Sequence, residues 1–207
     1  MAEKNKDPVQ GPALYPASYV NEKLEALDQD ELTGLLNRSG FNRAFEARLY
    51  NAEKGKAKPG LLELDLNNFK LLNDTFGHQA GDEFLRSLGE LLKSSLRLED
   101  PEHPDIARVG GDEFFVLLDL TPREPSDFTP EERIAKVKER ILSGVADLIG
   151  LEFSDYQASG LNVAVGWSVW QAGMTAREMI DEADRKMYEH KDETKEGLRS
   201  VSKSDAA

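Results

Sequence analysis

Two short acidic segments hold the residue types that metal-assisted phosphate chemistry needs. The first, Arg108-Val109-Gly110-Gly111-Asp112-Glu113-Phe114, sets two glycines and two carboxylates in a turn that opens directly into the apolar run Phe114 to Leu120. Gly-Gly is a strong hairpin signal, because both residues accept positive φ and let a backbone or ligand come close. The turn alone leaves two readings open: a surface hairpin with solvated acids, or a hairpin that carries chemistry. A second acidic segment favours chemistry. Leu61-Leu62-Glu63-Leu64-Asp65-Leu66-Asn67-Asn68-Phe69-Lys70 is an apolar stretch entered through Pro59-Gly60, which puts Asp65 at the C-terminal end of a strand. If that strand lies beside the hairpin, Asp65 and Asp112 converge on one divalent cation, with a backbone carbonyl and phosphate oxygens completing the shell. Oxygen ligands of this kind favour Mg²⁺ or Mn²⁺ over zinc. The segment after Asp65 passes quickly into a helical pattern, whose free amides can receive phosphate while Lys70 adds a positive charge. A cation beside a phosphate cradle implies a nucleotide.

The elements that must position these groups can be read from periodicity. Phe41, Phe45 and Leu49 line a helix, Gly60 to Leu66 a strand, and Phe84, Leu85, Leu88, Leu91, Leu92 and Leu96 a strongly amphipathic helix. Ile106 to Val109 and Phe114 to Leu120 form the hairpin, Ile134 to Leu148 a helix, and Leu161 to Gln171 a strand alternating Val163, Val165, Trp167 and Val169 with smaller or polar neighbours. A last helix starts at Ala176, and its Met179, Ile180, Ala183, Met187 and Tyr188 read as core packing. Helices mixed with an antiparallel hairpin give an α+β class.

Length and charge bound the function. The 207 residues suffice for one well-buried core. The 39 acidic against 26 basic residues, net −13, argue against a nucleic-acid or membrane-surface partner and make cation and lysines necessary around a polyanionic substrate. With no cysteine, disulfides and thiolate chemistry are excluded, and the cytoplasm is the simplest compartment. No apolar run reaches the roughly 20 residues of a membrane span, and no signal-peptide core follows Met1. Residues 1–16, with Pro8, Gly11, Pro12 and Pro16, read as a flexible lead-in. Tyr19, Val20, Leu24 and Leu27 suggest a lead-in helix over 17–29, followed by the main folded domain over 30–197 and a tail over 198–207.

Five ordered blocks carry a resemblance. They are Asp30-Glu31-Leu32-Thr33-Gly34-Leu35-Leu36-Asn37-Arg38, Asp65 through Lys70, Asn73-Asp74-Thr75-Phe76-Gly77-His78-Gln79-Ala80-Gly81-Asp82, Arg108 through Phe114, and Ala183-Asp184-Arg185-Lys186-Met187-Tyr188-Glu189-His190-Lys191. The chain resembles the GGDEF-domain diguanylate cyclases, which join two GTP molecules into cyclic di-GMP. The resemblance implies the palm-like fold of nucleotidyl cyclases, a mostly antiparallel central sheet flanked by helices. It also implies Asp65, the Leu66 carbonyl and Asp112 as ligands of Mg²⁺ or Mn²⁺, and Asp112 as the group that activates the 3′-hydroxyl. Glu113 and Lys70 join Asp112 as catalytic residues, and Phe69, Asn73, His78, Asp82, Gly111, Lys191 and Lys195 contact substrate.

In that scheme Asn73 and Asp82 read guanine, a carboxylate suiting the N1 and N2 donors and an amide suiting the remaining edge. From the residues alone, Asp65 and Asp82 could each cap a helix, and His78 could serve a structural hydrogen bond. The lysines would contact the β and γ phosphates as point charges. Catalysis then requires a homodimer of half-sites, and the lead-in helix implies a sensor or regulatory partner.

Three departures from the resemblance stand out. Asn67 replaces a usual Asp, which is not a metal ligand, so tolerance is expected. The last helix reads Lys191-Asp192-Glu193-Thr194-Lys195, losing an arginine fork and adding two acids, which weakens triphosphate binding. This is the chief support for an alternative, a catalytically silent GTP-binding or regulatory domain. Arg97-Leu98-Glu99-Asp100, the inhibitory motif, is separated from Arg108 by a segment holding Pro101 and Pro104, so product inhibition through it is expected to be absent or altered.

Overall fold

The computed structural model describes residues 27–96, 104–122 and 128–204, without the side chains of residues 158 and 194–204. Its elements run α1 (Arg38–Glu53), β1 (Pro59–Asn67), α2 (Phe69–Phe76), α3 (His78–Leu96), β2 (Asp105–Arg108), β3 (Glu113–Asp119), α4 (Pro130–Leu151), a 3-10 turn (Ser154–Ser159), β4 (Asn162–Val169) and α5 (Ala176–Ser204). The strands form one antiparallel sheet in the order β2-β3-β1-β4. This is the expected α+β arrangement of a central sheet flanked by helices.

Both faces of the sheet are covered, which explains why β1 reads as a nearly continuous apolar run instead of an alternating one. On one face Leu62, Leu64 and Leu66 of β1 join Phe114, Val116 and Leu118 of β3 in a core with α3 and α4. On the other, Leu61, Phe115 and Leu117 pack with Phe41 and Phe45 of α1 and Met179 and Ala183 of α5. Because side chains alternate along a strand, Glu63 and Asp65 share the face of Leu61, turned toward α5.

The approach of α5 to the sheet is set by a glycine. A Cβ on Gly166 of β4 would overlap the carbonyl oxygen of Ala183 and the amide of Met187, and would lie 2.7 Å from Met187 Cβ. Gly166 pairs with Glu63 across the sheet, so the contact delivers α5 directly over the acidic stretch of β1. Helix starts are fixed by local chemistry: Asn37 Oδ1 accepts from the amides of Ser39 (2.9 Å) and Gly40 (3.0 Å), and Thr129 with Glu132 forms a capping box ahead of Pro130. Thr175 and Glu178 form a similar reciprocal pair at α5.

The structure departs from the expected elements in several places. Residues 27–29 form a turn and a short bridge instead of the end of a helix, while 17–26 and the inhibitory motif 97–100 lie outside the described residues. Leu27 and Gln29 are held there because their carbonyls accept from Asn37 Nδ2, at 2.8 and 3.1 Å. The last helix continues to Ser204, through residues 198–204 expected in a tail. Gly77, with φ of 88°, separates α2 from α3, so α3 begins at His78 and Asp82 lies inside it instead of capping it. Among the described residues, no helix is long and apolar enough to cross a membrane.

Candidate active site

Strand register brings the two acidic segments together. Asp65 pairs with Glu113 in the β1–β3 ladder, and the Leu66 amide donates to the Asp112 carbonyl at 3.2 Å. Asp65 and Asp112 are electrostatically coupled. Partial burial and then the Asp65 charge hold the Asp112 carboxyl above its ordinary range, with Lys191 and Arg108 pulling the other way. Lys191 of α5 reaches across to Asp65, Nζ to Oδ1, at 2.5 Å. The predicted phosphate lysine is thus a partner of the predicted metal ligand.

The turn between β2 and β3 is not shaped by positive φ, since neither Gly110 nor Gly111 adopts it. A Cβ at Gly110 would lie 2.5 Å from Glu113 Oε2, the free end of a half-exposed side chain that can swing aside. Gly111 is exposed and open to a ligand. Two arginines grip this turn. Arg108 donates to the Gly111 carbonyl through Nε (3.1 Å) and Nη2 (2.8 Å) while Nη1 reaches both Asp30 oxygens at 3.3 Å. Arg38 donates from Nε to the Val109 carbonyl at 3.0 Å and lies 3.8 Å from Glu113 Oε2. Burial opposes the charge on Asp30, but hydrogen bonds from Thr33 and the Arg108 guanidinium outweigh it and hold the carboxyl below its ordinary range. The block Asp30 to Arg38 therefore braces the acidic turn, a role its sequence did not reveal.

Between β1 and α2 the chain makes a tight passage. Asn68 adopts φ of 63°, the only non-glycine residue with positive φ among those described, and caps α2 without a side-chain hydrogen bond. Its Nδ2 donates to the Gly160 carbonyl at 3.0 Å. Beside it, Asn67 donates to Asn162 Oδ1 at 2.7 Å, so the residue standing where a second Asp is usual serves the loop's structure. The first amides of α2 remain uncapped, with Lys70 exposed at its second position. Phe69 belongs to the core, 8% exposed, so its side chain is not open to substrate and only its main-chain amide is offered.

Farther along, Asn73 of α2 meets the first turns of α3. Its Oδ1 is buried without a hydrogen-bond partner among the described residues, next to Gly81, the residue before Asp82. His78 is exposed at the start of α3, and the side chain of Lys195 is not among those described.

One acid was missed by sequence reasoning. Glu63 is only 8% exposed, and its Oε2 has no hydrogen-bond partner among the described residues. Burial, followed by the carboxylates of Asp184, Glu113 and Asp65, pushes its pKa up to about 7. The available signal was an acid two positions before Asp65 in a strand otherwise made of leucines; it was masked because polar residues are ordinary on a strand's outer face.

This geometry meets a clear family match. The family model "Diguanylate cyclase, GGDEF domain" fits residues 27–197. The chain belongs to the GGDEF-domain family. The GGDEF domain here is 28% identical over 180 residues to "Diguanylate cyclase DgcS" of Shewanella oneidensis, covering 87% of this chain and 54% of that protein. It is 30% identical over 159 residues to "Diguanylate cyclase DosC" of Escherichia coli, covering 77% of this chain and 32% of that protein. It is also 39% identical over 135 residues to "Cyclic di-GMP phosphodiesterase NbdA" of Pseudomonas aeruginosa, covering 60% of this chain and 17% of that protein. The chain thus spans about half or less of the length of these relatives. Among solved structures, the diguanylate cyclase SiaD of Pseudomonas aeruginosa, in complex with its activator SiaC, superimposes with a TM-score of 0.67 at 27% identity, covering 85% of this chain and 63% of that one. The palm-like fold expected from sequence is the fold of these GGDEF neighbours.

Proposed function

We propose that this domain is a diguanylate cyclase that condenses two GTP molecules into cyclic di-GMP and releases two pyrophosphates. The observation that carries the reading is the meeting of Asp65, near the end of β1, with Asp112, in the turn just before β3, beside the uncapped start of α2. The family's chemistry makes a divalent cation, Mg²⁺ or Mn²⁺, the natural companion. The donor set fits one, because Asp65 already attracts the cationic Lys191, and burial with the Asp65 charge still holds the Asp112 carboxyl above its ordinary range despite Lys191 and Arg108. Asp65, Asp112 and the Leu66 carbonyl would hold it, and it would supply charge neutralisation at the triphosphate and a lower pKa for the attacking hydroxyl.

The chain's own groups divide the rest of the work. The α2 amides and Lys70 hold phosphate oxygens, joined by Lys191 and Lys195 from α5. Asn73 and Asp82 select guanine, with Gly111 leaving room above the turn. Asp112 accepts the proton of the 3′-hydroxyl, and Glu113, held beside Arg38, orients that hydroxyl. The hydroxyl oxygen forms a new bond to the α-phosphorus of the facing GTP while the α–β bridging bond breaks and pyrophosphate leaves. Catalysis rests on positioning and charge, without a covalent protein intermediate. Each domain supplies one half-site, so two copies must face one another. Regulation by a sensor or partner and a cytoplasmic setting are part of the same reading.

A second reading, a silent GTP-binding domain, draws on the Lys191–Asp65 ion pair, which engages a cation ligand, and on the acids Asp192 and Glu193 that follow it. Incubating the protein with GTP and Mg²⁺ and resolving products by chromatography decides between them. Cyclic di-GMP that disappears in Asp112→Asn supports the cyclase; bound GTP without cyclic product supports the silent domain.

A further inference from the structure

Gly81 has no conformational reason to be a glycine. It lies in the fourth position of α3 and, unlike Gly77, is not among the residues of positive φ. A glycine inside a helix is destabilising relative to alanine, so the position carries a penalty that some other benefit must offset. Space is the benefit. A Cβ added at Gly81 would overlap Asn73 Oδ1 outright, lie 2.9 Å from Asn73 Cγ, and stand 3.1 Å from Phe69 Cζ.

The amide of Asn73 is therefore laid against a bare α-carbon. Its oxygen is fully buried there and finds no hydrogen-bond partner among the described residues, an arrangement that costs free energy on its own. Phe69, one helical turn before Asn73 and itself in the core, closes the space beneath. With the oxygen held inward, Nδ2 is the end of the amide left for a ligand, and it can only donate. Immediately beyond Gly81, the carboxylate of Asp82 can only accept. Guanine offers the two oxygens of such a carboxylate two adjacent N–H donors, N1 and N2, and keeps acceptors for the amide N–H, whereas adenine has no proton at N1.

We propose that Gly81 is a positioning residue for base selection: its missing side chain fixes the orientation of Asn73 and thereby sets the preference for guanine. The inference rests on the reading of this site as a GTP half-site, and acts through Asn73 without touching the nucleotide.

The test is a double-mutant cycle on nucleotide binding, with GTP and ATP titrated separately into wild type, Asn73→Ala, Gly81→Ala and the double variant. Wild type preferring GTP establishes the half-site; no preference in wild type would defeat that prior reading, and this proposal with it. Given a preference, Gly81→Ala weakens GTP by about tenfold or more, the loss of an oriented hydrogen bond, and leaves ATP affinity unchanged. In the Asn73→Ala background the same substitution has no further effect on GTP. Equal losses for GTP and ATP, or an undiminished loss in the Asn73→Ala background, overturn the proposal, as does full GTP affinity in Gly81→Ala. If Gly81→Ala alone does not fold, Asn73→Ala restores folding on this account, and a double variant that still fails to fold overturns it.

Discussion

Glu63 shows how much a single carboxyl can matter at this sheet. Unfolded, it titrates near the ordinary 4.5, and folded near 7, so its folded pKa is raised. Above pH 7 both states are ionised and the fold carries the whole cost of the buried charge, at most about 3 kcal/mol. As pH falls below 7 the folded protein takes up a proton first, and the cost fades until it is gone below the unfolded pKa. Glu63→Gln is therefore expected to raise the urea midpoint of chelator-treated protein at pH 8 and to change it little at pH 4.5. An equal gain at both values would show that the carboxylate charge is not the cause.

Asp112 is held to a different standard, because its loss should leave the fold alone. Asp112→Asn is expected to lower cyclic di-GMP formation by about 100-fold or more with an unchanged thermal midpoint, removing a proton acceptor and a cation ligand together. Retained activity would remove Asp112 from the chemistry. The two acids were legible in the sequence because glycine, proline and apolar runs marked their turns. Glu63 was not, since its burial follows from α5 lying over it, and no local pattern carries that information.

At the scale of elements, the acidic turn depends on a brace from a distant segment. Arg108 ties the Gly111 carbonyl to Asp30, and Arg108→Lys cannot reproduce two parallel donors on one carbonyl plus a third arm on the carboxylate. The variant is expected to fold and to lose about tenfold in turnover with less effect on GTP affinity, as measured by steady-state kinetics. The strands could be read from their apolar runs and α3, α4 and α5 from clear apolar stripes, while α1 offered only Phe41, Phe45 and Leu49. The reasons behind individual glycines could not be read in this way. Gly166 is dictated by the helix backbone that approaches it, and Gly110 and Gly111, read as a hairpin signal, do not use the positive φ that glycine allows. Gly166→Ala pushes a methyl group into the backbone of α5, so a loss of about 1–3 kcal/mol in urea unfolding is expected. A neutral result would mean that α5 is free to shift.

At the scale of the whole molecule, the site lies at an open end of the sheet, with Gly111 and Lys70 exposed and Asp112 only partly buried. Such an edge can hold one nucleotide and leave its reactive phosphate facing outward, which suits a reaction completed by a second copy. The family could be read from five ordered blocks, and the model matched over residues 27–197 agrees with them. The pairing of Lys191 with Asp65 could not, because it joins residues 126 positions apart through the packing of α5 on β4. The most direct test of the central claim, that two half-sites built around Asp65 and Asp112 join two GTP molecules, is cyclic di-GMP production per unit protein with GTP and Mg²⁺ across a wide range of protein concentration. The account predicts cyclic di-GMP whose specific rate rises with concentration until dimers saturate. Bound GTP with no cyclic product at any concentration would contradict it.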